Sequence, residues 1–189
     1  DIIAALTVMR LAAFGPMKDA VKAQFAIFRN KHTWSLTALY IVTFGSFIGF
    51  SMALPLSMKV IFGVSHMPDA AGVMQHTVAN PNAPAVLAYA WIGPFVGAIA
   101  RPIGGWISDK VGGSIVTQII SAVMVVASAA VGYIMMQAYA SATPEQYFAA
   151  FMWLFVVLFA ASGIGNGSTF RTSGVIFDRQ QAGPVLGWT

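Results

Sequence analysis

Trp91-Ile92-Gly93-Pro94-Phe95-Val96-Gly97-Ala98-Ile99-Ala100-Arg101-Pro102-Ile103-Gly104-Gly105-Trp106-Ile107-Ser108-Asp109-Lys110-Val111-Gly112-Gly113 decides how this chain is read. An apolar run carries one charge, Arg101, and ends in an Asp-Lys pair followed by two glycines. Lipid solvates a guanidinium poorly, at a cost of roughly 2.5–3.5 kcal/mol at the bilayer centre by insertion scales. Arginine cannot shed its proton to escape that cost. A fixed positive charge at membrane depth therefore needs an anion, a set of carbonyls, or water. The alternative for Arg101 is snorkelling to the headgroups, or a bond to carbonyls freed by Pro102.

The rest of the chain has the same character. Of its 189 residues 58% are hydrophobic and 8% charged, with a mean hydropathy of +0.75. Soluble domains carry about 25% charge, so an all-α membrane protein is expected. Four spans exceed the ~20 helical residues needed to cross ~30 Å of hydrocarbon: 36–58, 85–107, 115–138 and 147–170. Only Arg101 is charged within them. Runs this long and apolar mean helices, because lipid leaves no solvent for an unpaired backbone. The net charge of +4 reflects residues flanking the spans, so no nucleic-acid partner is expected. With no cysteine, no disulfide or thiolate metal site can form.

Basic residues fix the orientation. Arg10, Lys18, Lys22, Arg29 and Lys31 precede the first span, Lys110 lies between the second and third, and Arg171 and Arg179 follow the fourth. The alternate loops hold only Lys59. The N-terminal segment is thus expected in the cytoplasm and the loops 59–84 and 139–146 outside. Residues 1–35 read as a cytoplasmic connector. Its part 16–34 is amphipathic enough to lie at the interface or to be a solvated linker, and 2–14 read as a stub of an earlier span. A further span is expected to start at 182. No cleavable signal peptide is expected, since Asp1 stands where an initiator and a basic region should be. The piece is expected to come from a larger carrier.

Depth then brings candidate residues together. Arg101 is eight residues before Asp109, or ~12 Å along a helix. Tyr40 and Phe44 lie ~9 and ~15 Å beyond Trp34, and share one helix face. An arginine fork, a phenol and an aromatic ring at one level suit a small planar anion. Ordinary packing also accounts for Tyr40 and Phe44. The acidic residues Asp1, Asp19, Asp69, Asp109, Glu145 and Asp178 all lie outside the spans. The site therefore offers positive charge only, which points to an anionic substrate. In the fourth span, Ser162-Gly163-Ile164-Gly165-Asn166-Gly167-Ser168-Thr169 suits close helix packing. Asn166 could instead donate a hydrogen bond into the pathway. His32, His66 and His76 lie in loops or at a span boundary, so no histidine pair is expected to ligate a haem, and no cofactor or metal is expected.

The pattern Gly105, Asp109, Lys110, Gly112 resembles the cytoplasmic loop signature of the major facilitator superfamily, but Gly113 and Ser114 replace its usual basic residues. More narrowly, the segments Tyr40–Ser51, Gly93–Gly113 and Gly163–Phe170 resemble the nitrate/nitrite porter family. The resemblance covers most of residues 16–189. It implies a major facilitator helical bundle, with the four spans as helices seven to ten of twelve. It also implies that Arg101 is one of two buried arginines gripping nitrate or nitrite, that Tyr40 and Phe44 belong to the same site, and that the second arginine lies in an N-terminal half. Residues 186–189 would begin an eleventh, Gly-rich helix. The expected activity is nitrate and nitrite transport in a bacterial inner membrane by alternating access, as exchange of one for the other with proton-coupled nitrate uptake as the alternative, without enzyme activity. The rival from another class is a membrane-anchor subunit of a respiratory complex; a buried lone Arg and the facilitator loop argue against it.

Overall fold

The computed structural model describes residues 27–177 together with Phe25, Val185, Gly187 and Trp188. The apolar stub at 2–14 and most of the connector and of the span expected from 182 lie outside these residues. Among the described residues there are four long apolar helices: α1 (Lys31–Phe62), α2 (Val86–Val111), α3 (Gly113–Tyr139) and α4 (Pro144–Ile176). The fold is that of an all-α membrane protein, and the chain is multi-pass.

Local chemistry sets the helix ends. The Asn30 side chain accepts from the His32 N–H at 3.0 Å, which caps the first turn of α1. Gly112 separates α2 from α3 and has φ +97°, a conformation open to glycine at little cost. A single residue therefore makes the reversal. Gly113 already belongs to α3, and any Cβ there would overlap the Thr172 hydroxyl. Pro144 stands in the first turn of α4, where its missing N–H is not needed.

α1 is not a uniform helix. Two widened π turns interrupt it, at Ile41–Gly45 and Met58–Phe62. Such turns are rare and recur at functional sites. The first contains Phe44 and directly follows Tyr40.

α4 is the central helix and is buried far more than the other three. Lipid supplies little hydrophobic drive between helices, so packing depends on close approach. α4 meets α2 backbone to backbone. A Cβ on Gly163 would overlap the Gly97 carbonyl, and one on Gly167 the Arg101 carbonyl. Against α3, the Ser168 hydroxyl donates to the Gly113 carbonyl at 2.9 Å and lies 3.1 Å from the Thr117 hydroxyl. Against α1, α4 presents Phe155 and Phe159. Phe159 meets Phe47 edge to face at 5.5 Å, and Phe50 packs on Phe155 at 6.4 Å and on Phe159 at 6.2 Å.

The segment 59–84, expected as a loop, is more ordered than that. α1 runs on to Phe62, and a two-stranded antiparallel hairpin follows, β1 (Val64–Pro68) and β2 (Met74–Ala79). The turn is held by Asp69, whose carboxylate accepts from the Ala71 and Val73 N–H groups at 2.8 and 2.9 Å. Those bonds lower the Asp69 pKa below the ordinary carboxylate value. His66 and His76 thus sit on paired strands, where the sequence suggested loop positions.

Candidate functional site

Arg101 lies mid-way along α2, half-buried, one residue before Pro102. Its guanidinium carbon stands 5.1 Å from the Phe44 ring centre and 4.9 Å from that of Phe47. Those two rings are 6.1 Å apart and within 7° of parallel. The cation straddles a floor made of both. Cation–π attraction contributes about 0.5–2 kcal/mol per ring, more as water is excluded. Tyr40 reaches the cluster through Phe44, at 5.1 Å between rings, and is edged by Phe170 of α4 at 5.5 Å. The structure therefore brings Arg101, Phe44 and Tyr40 into one group.

Phe47 belongs to that group and was missed in the sequence. It continues the stripe of Tyr40 and Phe44 by three residues, a spacing that shares a helix face, and this was the signal available. Its position is fixed from behind: Phe159 touches its face, and a Cβ on Gly97 would strike its ring edge at 2.5 Å.

Asn166 is fully buried on α4. It lies between Phe159, which touches Phe47, and Phe170, which touches Tyr40. At seven residues after the one and four before the other, it shares their helix face. Its neighbour Gly167 abuts the Arg101 backbone. Neither polar atom of the Asn166 amide, nor the buried Nε of Arg101, has a hydrogen-bond partner among the described residues. Burying an amide unpaired costs roughly 2–7 kcal/mol. Two such groups at one level are what a polar ligand would relieve. Nε and the amide nitrogen are donors, so they suit the oxygens of an anion.

The loop motif stands at the other end of α2. Asp109 pairs with Arg171 of α4, and the Lys110 ammonium lies 3.9 Å from the Trp106 ring centre. Gly105 faces the Gly167 carbonyl with ordinary clearance, 3.8 Å from an ideal Cβ. Gly112 makes the reversal described above. The motif thus fastens the α2–α3 turn to the end of α4. Both partners of the ion pair are largely exposed, so it adds little to stability.

Comparison with known proteins fits this architecture. The "Probable nitrate/nitrite antiporter NarK2" of Thermus thermophilus is 41% identical over 174 residues, which is 92% of this chain and 35% of that protein. The chain is a homologue of the nitrate/nitrite porters. The nitrate/nitrite transporter NarU of Escherichia coli is 36% identical over 178 residues, 91% of this chain and 33% of that protein. The nitrite extrusion protein of Bacillus subtilis is 27% identical over 165 residues, 87% of this chain and 35% of that protein. The chain spans about a third of the length of these curated relatives. All three are named for moving ions rather than for catalysis. No family model matches the chain.

Proposed function

We propose that this chain is part of a carrier that moves nitrate and nitrite across a bacterial inner membrane by alternating access, with one anion exchanged for the other. In this reading α1 to α4 are helices seven to ten of a twelve-helix protein. Residues 1–35 connect it to an N-terminal half that supplies a second cationic group. The observation that carries the reading is the unpaired, buried Arg101 Nε with its guanidinium laid over Phe44 and Phe47, and the unpaired Asn166 amide on the helix whose Gly167 abuts the Arg101 backbone supports it. The guanidinium fork holds two anion oxygens, Asn166 donates to a third, and the Tyr40 phenol borders the same pocket. The names of the relatives support the choice of anions.

Exchange is favoured over proton coupling by charge. No carboxylate lies within the apolar stretches of the four helices; Asp109 and Glu145 stand at helix ends. A site of fixed positive charge closes more readily when an anion fills it. Alternation then rocks one half against the other around a midplane site, and the Asp109–Arg171 pair fastens the cytoplasmic end in one state.

Counterflow in proteoliposomes of the full-length carrier tests this. Labelled nitrite outside should enter nitrate-loaded vesicles without a pH gradient, and should not enter vesicles lacking internal anion. Accumulation in empty vesicles that requires an inward proton gradient would replace exchange with coupled uptake.

A further inference from the structure

The outer hairpin contains a contact that the transport reading leaves unused. His66 of β1 is fully buried. The strand pairing is irregular between Ser65 and Met67, and a bulge of this kind re-aims a side chain. The His66 Nδ1 lies 2.6 Å from the His76 Nδ1 of β2, and its Nε2 lies 2.8 Å from the Ile61 carbonyl in the second π turn of α1. His76 stacks on Tyr139 at the outer end of α3, at 4.1 Å and 20° between rings. His66 packs on the same ring at 4.8 Å. Two imidazoles therefore tie the hairpin to the outer ends of α1 and α3.

Hydrogen accounting sets the tautomers. A carbonyl only accepts, so the His66 Nε2 must carry a hydrogen. In neutral His66 the Nδ1 is then a bare acceptor, and the His76 Nδ1 must donate to it. The His76 Nε2 has no partner among the described residues, so one extra proton can bind there and leave every contact intact. That proton makes the bond between the rings charge-assisted and stronger. A second extra proton has only the His66 Nδ1 to go to. It would set two N–H groups face to face across 2.6 Å.

We propose that His66 and His76 form a proton-binding switch that holds the outer hairpin docked while the pair carries at most one extra proton and releases it when both rings are charged. The released hairpin binds one proton more than the docked one. Stability of docking then rises with pH wherever the released state binds more protons. A solvated imidazole charges near pH 6.5, so acid outside the cell should loosen the hairpin below about that pH. The steepest change for one proton is about tenfold in the docking equilibrium per pH unit. The other ionisable groups on the hairpin and at the facing ends of the packed helices are Lys59 on α1, Asp69 at the hairpin tip, Tyr133 and Tyr139 on α3, and Glu145 and Tyr147 at the start of α4; Lys31, His32 and Tyr40 of α1 and Arg171 of α4 lie toward the opposite ends of those helices. Free carboxylates titrate near pH 4, and tyrosine and lysine near pH 10. Asp69 is held lower still.

Hydrogen exchange of the full-length carrier in nanodiscs tests the switch, with amide protection of residues 64–79 followed from pH 7.5 to pH 5 and corrected for intrinsic exchange rates. Protection should be greatest near pH 6.5, where docked and released forms bind about equal numbers of protons, and fall up to about tenfold per unit below it. In His76→Gln the step should vanish with docking retained, because a glutamine amide can donate to a neutral His66 or accept from a charged one. Level protection in the wild type, or an unchanged step in His76→Gln, would overturn the proposal. Should the variant leave the hairpin unprotected at every pH, nitrogen chemical shifts of the wild-type histidines at pH 7.5 decide instead. The switch requires His66 protonated at Nε2 and His76 at Nδ1; both rings protonated at Nε2 would refute it. None of these readouts depends on which ion is carried.

Discussion

Phe47→Leu isolates what the aromatic floor does for Arg101. In the wild type the guanidinium carbon is 4.9 Å from the Phe47 ring and 5.1 Å from Phe44. Leucine removes one of two cation–π partners, each contributing about 0.5–2 kcal/mol. It also removes the edge contact with Phe159, another ~0.5–1.5 kcal/mol of packing. The first loss should appear in anion binding, because a guanidinium freed from the ring must be ordered again when the anion binds; the second weakens the fold whether or not anion is bound. A loss of about 1–2 kcal/mol corresponds to roughly five- to thirtyfold in an equilibrium constant. Phe50→Leu is the control. Phe50 packs on Phe155 and Phe159 but makes no cation contact among the described residues. The assay is nitrate binding to the monodisperse full-length carrier, read by calorimetry and normalised to folded protein. Phe47→Leu should bind roughly tenfold more weakly and Phe50→Leu within twofold of wild type, with similar losses of thermal stability. Equal binding losses in both variants, or none in Phe47→Leu, would refute the view that the ring positions Arg101.

Other outcomes follow from the same geometry. Gly163→Leu should abolish folded carrier, since the new side chain meets the Gly97 backbone where even a Cβ does not fit; detergent-resistant folded protein in normal yield would contradict this. Asp109→Asn should change thermal stability by less than ~1 kcal/mol, because the Arg171 pair is exposed, while it shifts accessibility of the cytoplasmic vestibule to thiol reagents. Gly112→Ala forces an L side chain into φ +97° and ψ 130° and should cost about 1–3 kcal/mol, measurable as a lowered melting temperature. A cysteine at Ala70 should react with an impermeant reagent in intact cells, and one at Lys110 should not; the reverse pattern would invert the proposed topology.

The spans were legible because lipid imposes a simple rule: about 20 apolar residues in a row admit one structure. The reversal at Gly112 was legible from its glycines. The π turns were not, because the Ile41–Gly45 stretch has the same apolar composition as its neighbours and the widening shows only in the hydrogen bonds. The hairpin was hidden by prolines and asparagines that flank β1 and β2 and read as loop. In the candidate site, Arg101 announced itself as a charge in an apolar run. Phe47 did not, since a phenylalanine in such a run looks the same whether it faces lipid or a guanidinium. Asn166 stood out as a polar residue. Its complete burial depends on α4 being the central helix, a tertiary fact that no local pattern records.

The central claim, an anion clamp at Arg101, is tested most directly by nitrate binding to Arg101→Lys in the full-length carrier. Lysine keeps the charge and loses the planar fork that holds two oxygens at once. A bidentate, charge-assisted contact in a dry site contributes a few kcal/mol, and about 1.4 kcal/mol is tenfold in affinity. The account predicts at least a tenfold loss of nitrate affinity with normal membrane insertion. If Arg101 only snorkels or braces the helix, lysine serves almost as well, since its stem reaches as far. Affinity within about twofold of wild type would contradict the clamp.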